Sequence, residues 1–128
     1  MSSAPVTLLV FVVRKPTLSP AEFEHHWENV HVPLLKSLAG PLFPLSHRRH
    51  YLSREPSAPD YPLRILVGDP GTINFDAFTM VTFENEAALY AFLPTMSRPE
   101  VLEDEDRFTV KEKMRTVILG SVHTATRD

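Results

Sequence analysis

Two segments of the chain are apolar on both alternating faces, and this feature limits what the 128 residues can fold into. One is the branched run over residues 6–13. The other is the run over residues 75–84, in which the polar exceptions are Asp76 and the threonines. A strand with apolar side chains on both faces is buried on both faces. The pattern therefore predicts two strands in the middle of one sheet.

The remaining segments carry helix and strand signals. Residues 19–22 are typical of a helix start, with serine as N-cap, proline in the first turn and glutamate closing a capping box. Pro33 predicts that this helix ends or kinks near His31, because proline lacks the amide hydrogen and clashes with the preceding turn. The other predicted elements are a strand over 46–55, a helix after Asn85 that Pro94 interrupts, a short acidic helix after a capping box at 97–100, and a strand over 113–124.

The predicted order of elements is β-α-β-β-α-β, in a single domain over residues 1–128. Connection rules fold this order into a four-stranded antiparallel sheet with both helices on one face, which is the α+β, ferredoxin-like class. The other face would then expose more apolar surface than monomers usually tolerate. A second copy packed there removes that exposure, so we expect a homodimer whose two sheets face each other.

Composition excludes several classes of protein. The chain has no cysteine, which rules out disulfides, thiolate metal sites and cysteine nucleophiles. Thirteen basic and sixteen acidic residues give a net charge of −3, which argues against a nucleic-acid surface. The longest apolar run is too short to span a bilayer, and the first residues lack the pattern of a secretory signal. We expect a cytoplasmic protein with neither nucleic acid nor membrane as a partner.

His31 is the strongest candidate for chemistry. It follows Trp27 by four positions, on the helical stripe that should face the sheet, at the break introduced by Pro33. A helix C-terminus favours the imidazolium form whereas burial opposes it, so the pKa of His31 is expected near neutrality. The alternative is a core histidine bonded to a backbone carbonyl that the break frees.

A second cluster of titratable residues lies on the predicted second strand. Alternation places Arg48 and His50 on one face of that strand and His47 and Arg49 on the other. His50 or His47 pointing toward His31 would form an acid–base pair. For the arginines, the alternative role on an edge strand is to discourage edge-to-edge pairing.

The acidic residues give weaker signals. Asp76 interrupts an apolar strand, either as a turn residue at the strand start or as a buried acid with a raised pKa. Glu28 lies one turn before His31 and could orient it, although an exposed helix carboxylate is the simpler interpretation. The run over 103–106 is predicted to be a solvated helix face. No cluster has convincing metal-ligand spacing, and no metal is expected.

Residues 27–34, Trp-Glu-Asn-Val-His-Val-Pro-Leu, resemble the EthD family of the dimeric α+β barrel superfamily, which carries a short His-x-Pro-Leu signature late in its first helix. The continuation through residues 40–51 and the later Asn-Phe-Asp-Ala-Phe segment at 74–78 resemble the fungal, polyketide-tailoring branch of that family. The resemblance covers nearly the whole chain. It implies the same βαββαβ dimer that the periodicity predicts.

The resemblance also implies a range of activities. Members of this fold include cofactor-free enzymes that act on polyketide or aromatic intermediates, haem-dependent relatives and accessory proteins. We expect a cofactor-independent lyase or cyclase of secondary metabolism. It would dehydrate, decarboxylate or cyclise a small hydrophobic or aromatic substrate through an enolate. The alternatives are a non-catalytic protein that binds a hydrophobic metabolite, and a haem-binding monooxygenase with a proximal histidine.

The expected catalytic set is His31, which matches the signature histidine, with His50 and Asp76, which match by neighbourhood. His31 would act as base or acid and His50 as the complementary acid, while Arg49 or Tyr51 polarises a carbonyl of the bound substrate. The substrate pocket is expected between helices and sheet. Its predicted apolar lining is Phe11, Phe23, Trp27, Phe78, Met80 and Phe92.

Overall fold

A computed structural model of the chain describes residues 4–128, and within this range four strands form one antiparallel sheet. The strands are β1 (Val6–Val12), β2 (Ser46–Tyr51), β3 (Ala77–Phe83) and β4 (Arg115–Ile118). Their order across the sheet is β2-β3-β1-β4, so the two strands with apolar residues on both faces are central, as predicted. The architecture is the α+β, ferredoxin-like fold.

The pairing register assigns every strand residue to one of two faces. Val10 of β1 lies opposite Thr79 of β3, and Phe11 lies opposite Phe78. Since successive side chains of a strand point to opposite sides, these two pairs lie on opposite faces of the sheet. Helices pack on the face of Val10 and Thr79, which we call the helix-covered face. The face of Phe11 and Phe78 is called the open face.

Four α-helices occur within residues 4–128, namely α1 (Pro20–His26), α2 (Val32–Ala39), α3 (Glu86–Met96) and α4 (Pro99–Phe108). The residues between α1 and α2, Trp27–His31, form a single π-helical turn. None of the helices in the described part of the chain is long and apolar enough to cross a membrane.

The first helix starts as predicted, with the Ser19 hydroxyl accepting from the Glu22 amide and the Glu22 carboxylate accepting from the Ser19 amide. Pro33 neither ends nor interrupts the helical path. The Val32 amide donates to the Trp27 carbonyl, five residues back, so the chain widens by one residue just before the proline. A π turn of this kind re-routes the hydrogen bonds that a proline disturbs, and such turns are frequent at functional sites.

Several element boundaries differ from the predictions. β2 ends at Tyr51 and β4 spans four residues, so both strands are shorter than expected. Pro94 lies inside α3 without interrupting it. α4 begins after Arg98, whose side chain makes no capping bond, so the capping box predicted at 97–100 is wrong.

Two clusters of buried apolar residues hold the helices on the sheet. One is centred on Leu35, Phe83 and Phe92, and the other on Phe23, Trp27 and Phe108. Members of both clusters line one cavity between the sheet and the helices, which is described next.

Candidate active site

A cavity of about 310 Å³ lies between the helix-covered face and the helices. Sites for small molecules commonly begin at about 300 Å³ and are mostly apolar, with a few polar groups that orient the ligand. This cavity follows the same pattern. Its apolar lining includes Leu8, Val10, Trp27, Leu35, Phe92, Met96 and Phe108. Its polar lining consists of His31, His47, Thr79, Glu105, Thr109 and Thr116.

His31 occupies the last position of the π turn and is 5% exposed. Its Nδ1 lies 2.8 Å from Oδ2 of Asp104 in α4. An ionised carboxylate only accepts hydrogen bonds, so Nδ1 carries the ring hydrogen and Nε2 keeps the lone pair. Because His31 lines the cavity, its Nε2 is the basic nitrogen available to a ligand there.

The protonation states of His31 and Asp104 fit this arrangement. Burial lowers the pKa of His31 below its usual 6.5, although the hydrogen bond and charge of Asp104 oppose the shift. Burial opposes ionisation of Asp104. Hydrogen bonds from His31 and His26 outweigh it and hold the pKa of Asp104 below its ordinary value. At neutral pH the pair is therefore a neutral imidazole held by a carboxylate.

Asp104 also connects the site to the surface. Its Oδ1 lies 2.9 Å from Nε2 of His26, whose side chain is 21% exposed. Nη1 of Arg107 lies 3.3 Å from the same oxygen. The carboxylate thus has a partner on each oxygen, which fixes its orientation and, through it, the ring of His31.

His47 on β2 supplies a hydrogen-bond donor on the cavity wall. Its Nδ1 lies 2.7 Å from Nη1 of Arg49, and a guanidinium only donates, so Nδ1 accepts and Nε2 carries the hydrogen. Burial, reinforced by the charge of Arg49, lowers the pKa of His47 to about 4. At neutral pH the ring is therefore neutral and retains its Nε2 hydrogen.

Arg49 and Tyr51 share the helix-covered face with His47, but their polar ends are bound to Glu28. Glu28 accepts from Nε of Arg49 at 2.6 Å and from the Tyr51 hydroxyl at 2.6 Å. Burial of Glu28 opposes ionisation, yet these two hydrogen bonds lower its pKa overall. Burial and the Glu28 carboxylate raise the pKa of Tyr51. Neither Arg49 nor Tyr51 lines the cavity. The Glu28 side chain is 37% exposed and binds Arg49 and Tyr51 rather than His31, so it holds β2 to the π turn and does not orient His31.

Two further polar groups face the cavity without a protein partner. The Thr79 hydroxyl is buried and has no hydrogen-bond partner among residues 4–128. Glu105, 5% exposed, lines the same cavity, and within the described range no hydrogen bond reaches its carboxyl group. Burial raises the pKa of Glu105 to about 7, against the lowering effect of Lys111 and with the support of Asp106 and Asp104. Buried polar groups normally have partners, so both groups indicate a place for a ligand.

His50 does not meet His31. It pairs with Phe78 across the sheet and stacks on that ring with centroids 4.6 Å apart, on the open face. The prediction that His31 and His50 form an acid–base pair is therefore wrong, because strand alternation puts His50 on the opposite face of the sheet from the cavity.

The same alternation corrects part of the predicted lining. Phe11, Phe78 and Met80 lie on the open face, whereas Trp27 and Phe92 line the cavity. Phe23 does not line the cavity. It packs behind Trp27, with ring centroids 5.5 Å apart, and supports it from the second core cluster.

Asp76 lies away from His31, in a separate surface pocket. Its Oδ2 accepts from the Arg14 amide at 2.7 Å, and its Oδ1 lies 2.9 Å from Nη2 of Arg54. These bonds tie the segments that follow β1 and β2 to the residue just before β3. Asp76 therefore connects neighbouring segments of the sheet. It does not lie near His31, so the prediction that it belongs to the catalytic set is wrong.

Asp104 and Glu105 are the site residues that the sequence reasoning missed. The run over 103–106 is not a uniformly solvated face, because Asp104 is 2% exposed and Glu105 is 5% exposed. Helical spacing contained the signal. Val101 and Phe108 are apolar and seven residues apart, and positions three and four after Val101 fall on the same stripe.

The histidine and acidic side chains of the site can be compared with the ligand set that a metal ion needs. Among residues 4–128, no group of three or more histidine and acidic side chains is placed to hold a metal ion. His26 and His31 are instead each hydrogen-bonded to Asp104, one on each carboxylate oxygen, so these three side chains form a hydrogen-bond network centred on Asp104.

Known structures share this fold. An EthD-like protein from Ralstonia eutropha JMP134 is 14% identical, with a TM-score of 0.56 over 92% of this chain and 90% of its own. An EthD family protein from Bacillus halodurans C-125 is 15% identical, with a TM-score of 0.54 over 91% of this chain and 99% of its own. A NIPSNAP-like domain protein from Burkholderia xenovorans is 13% identical, with a TM-score of 0.57 over 98% and 91%.

At these identities the structures establish the fold alone. No functionally curated protein matches the sequence. The EthD domain profile matches residues 15–112, a stretch that includes the π turn, His31 and Asp104. Since that match covers most of the chain, this protein belongs to the EthD domain family.

Proposed function

We propose that this protein is a cofactor-independent enzyme in which His31 removes a proton next to a carbonyl group of a small hydrophobic or aromatic substrate. The observation that carries the proposal is the hydrogen bond of His31 Nδ1 to buried Asp104, which leaves a basic Nε2 at an apolar cavity. A positioned base of this kind typically contributes about 10²–10⁴-fold to the rate.

The product of that step is an enolate, whose oxygen needs stabilisation. His47 is suited to this task, because its neutral ring carries a hydrogen on Nε2 and lines the same cavity as His31. A donor fixed in a dry site stabilises a developing oxyanion better than water does. In this proposal His47 takes the role that was expected of Arg49 or Tyr51.

The class of reaction and of substrate is inferred from the resemblance of the sequence to the fungal branch of the EthD family. We propose a lyase or cyclase acting on a polyketide or aromatic intermediate of secondary metabolism, as in the fungal branch of the family. The cavity supports a neutral substrate, since none of its described lining residues is lysine or arginine and an anion would lose its water without compensation. The cytoplasmic location stays a prediction from the sequence.

We also propose that the protein is a homodimer joined through the open face. That face carries Leu9, Phe11, Phe78 and Met80, which are only partly buried by the rest of the chain. Burial of such a patch by a second copy, related by a two-fold axis, is the common solution.

The test is proton exchange on 1-tetralone, an aromatic ketone of suitable size. The protein is incubated with it in D₂O, and deuterium entry next to the carbonyl is followed by NMR. We expect exchange with the wild type and a loss of about 10²–10⁴-fold in His31→Gln, because the base is removed. The exposed His25→Gln is the matched control and should exchange at the wild-type rate.

Other outcomes favour the alternatives. If the wild type binds 1-tetralone without any exchange, the protein is a binding protein and the enzymatic proposal fails. If addition of haem produces a Soret band that His31→Gln abolishes, the haem-binding monooxygenase replaces it.

A further inference from the structure

We propose that Glu105 is the proton donor to a leaving hydroxyl group, which makes the reaction the elimination of water from a β-hydroxy ketone. This inference rests on the proposed role of His31 as the base. It goes further by assigning the second proton transfer and by choosing among the lyase and cyclase reactions.

The position of Glu105 carries the argument. Asp104 and Glu105 are neighbours on α4, and both are buried because the helix presents them on the stripe between Val101 and Phe108. Asp104 holds the base, and Glu105 lines the same cavity that the base lines. One turn of helix therefore brings a base holder and a carboxyl group to a single small space.

The surroundings of Glu105 keep a proton on it. It has no hydrogen-bond donor among the described residues to stabilise its ionised form, and Asp104 and Asp106 oppose a further negative charge. The positive charge of Lys111 lowers the pKa of Glu105, but this effect is smaller than the rise caused by burial. A carboxyl whose pKa is about 7 holds a substantial share of its protons at neutral pH and donates them readily.

The chemistry of a base and a neutral acid in one apolar cavity fits elimination better than decarboxylation. A substrate carboxylate would need a cation, and lysine and arginine are absent from the described lining of the cavity. A β-hydroxy ketone is neutral and offers one group to each partner. Its acidic C–H suits His31, and its hydroxyl suits Glu105.

The step balances without an oxidant or reductant. Nε2 of His31 takes the proton from the carbon next to the carbonyl, and the pair of electrons from that C–H bond becomes the new C=C bond. The C–O bond at the next carbon breaks, and its oxygen leaves as water with the proton from Glu105. The proton on His31 then returns to Glu105 through the solvent.

The experiment compares two readouts on one ring system. Elimination is measured with 3-hydroxy-1-tetralone, which loses water and aromatises to fluorescent 1-naphthol. Proton removal alone is measured by deuterium exchange on 1-tetralone, which has no leaving group. The variant is Glu105→Gln, which keeps the shape of the side chain and removes the acid. Its matched control is the exposed Glu103→Gln.

We expect Glu105→Gln to lower naphthol formation by about 100-fold or more while exchange on 1-tetralone persists within about threefold, because only the first readout needs an acid. Retained exchange also shows that the variant is folded with its base in place. Glu103→Gln should match the wild type in both readouts.

Three results overturn the inference. Equal losses in both readouts would make Glu105 a positioning residue for the base. Unchanged naphthol formation would remove it from the reaction. A wild type that exchanges 1-tetralone yet forms no naphthol would exclude water elimination while leaving the role of His31 intact. A wild type that exchanges nothing contradicts the proposed function itself, so the two failures are distinguishable.

Discussion

The two faces of the sheet are made from alternate residues of the same strands, and both are largely apolar, yet they differ in their polar groups. The helix-covered face opposes His31 and Glu105 across a cavity, and it contributes His47 and Thr79 to the cavity wall. The open face contributes His50, which is stacked flat on Phe78. Unpartnered buried polar atoms occur on both faces, since Nε2 of His50 also lacks a hydrogen-bond partner among residues 4–128. The helix-covered face differs because its polar groups line a cavity beside a histidine that a buried carboxylate holds in place.

The largest expected effect comes from removing one histidine from each face of the sheet. His31→Gln should reduce exchange on 1-tetralone by about 10²–10⁴-fold, whereas His50→Gln should leave the rate per subunit unchanged, because His50 lies on the other side of the sheet. NMR of both variants against the wild type measures this. A larger loss in His50→Gln would move the site to the open face.

A second prediction concerns the open face as the proposed homodimer interface. Met80→Glu places a carboxylate in the proposed interface, and its symmetry mate places a second one nearby. Burying like charges costs several kcal/mol, so the dimer should dissociate at micromolar concentration. Sedimentation velocity measures the change, with the exposed Ser37→Glu as a control for added charge. A wild type that is already monomeric would refute the interface.

A smaller effect is expected from Asp104→Asn. The amide still reaches His31 but no longer forms a charge-assisted hydrogen bond, which is worth about 1.5–3 kcal/mol. Exchange on 1-tetralone should fall by about 10–100-fold, less than in His31→Gln. The exposed Asp106→Asn is the control. A rate equal to that of the wild type would show that His31 needs no orienting carboxylate.

The smallest predicted effect is a change in how the free energy of unfolding depends on pH when Glu105 is replaced. The unfolded chain loses this proton near pH 4.5, whereas the folded protein holds it to about pH 7. The folded state binds more protons in this window, so the free energy of unfolding falls as pH rises from 4.5 to 7. Glu105→Gln removes that fall. Urea unfolding should show the variant gaining about 2 kcal/mol relative to wild type between pH 5 and pH 8.

The sequence predicted the sheet because its evidence was redundant. Strand periodicity, the Ser19 capping box and the order of elements all indicated one topology. The same reasoning found His31, Trp27 and Phe92, whose spacing placed them on stripes that face the sheet.

The rest of the site could not be assigned for two physical reasons. A central strand that is apolar on both faces does not indicate which face the helices cover, so Phe11, Phe78 and Met80 were placed in the wrong layer. Acidic residues are normally solvated, and composition therefore hid Asp104 and Glu105. The π turn depends on five-residue hydrogen bonding, which the position of Pro33 alone did not distinguish from a helix end.

If His31 is the base, ligands occupy the cavity beside its Nε2. A crystal structure of the protein soaked with 1-tetralone would show this directly. We predict density for the ring against the indole of Trp27, with the carbon next to the carbonyl near Nε2 of His31 and the carbonyl oxygen near Nε2 of His47. Density confined to the open face between Phe11 and Phe78, with the cavity empty, would show that His31 is not at the ligand site.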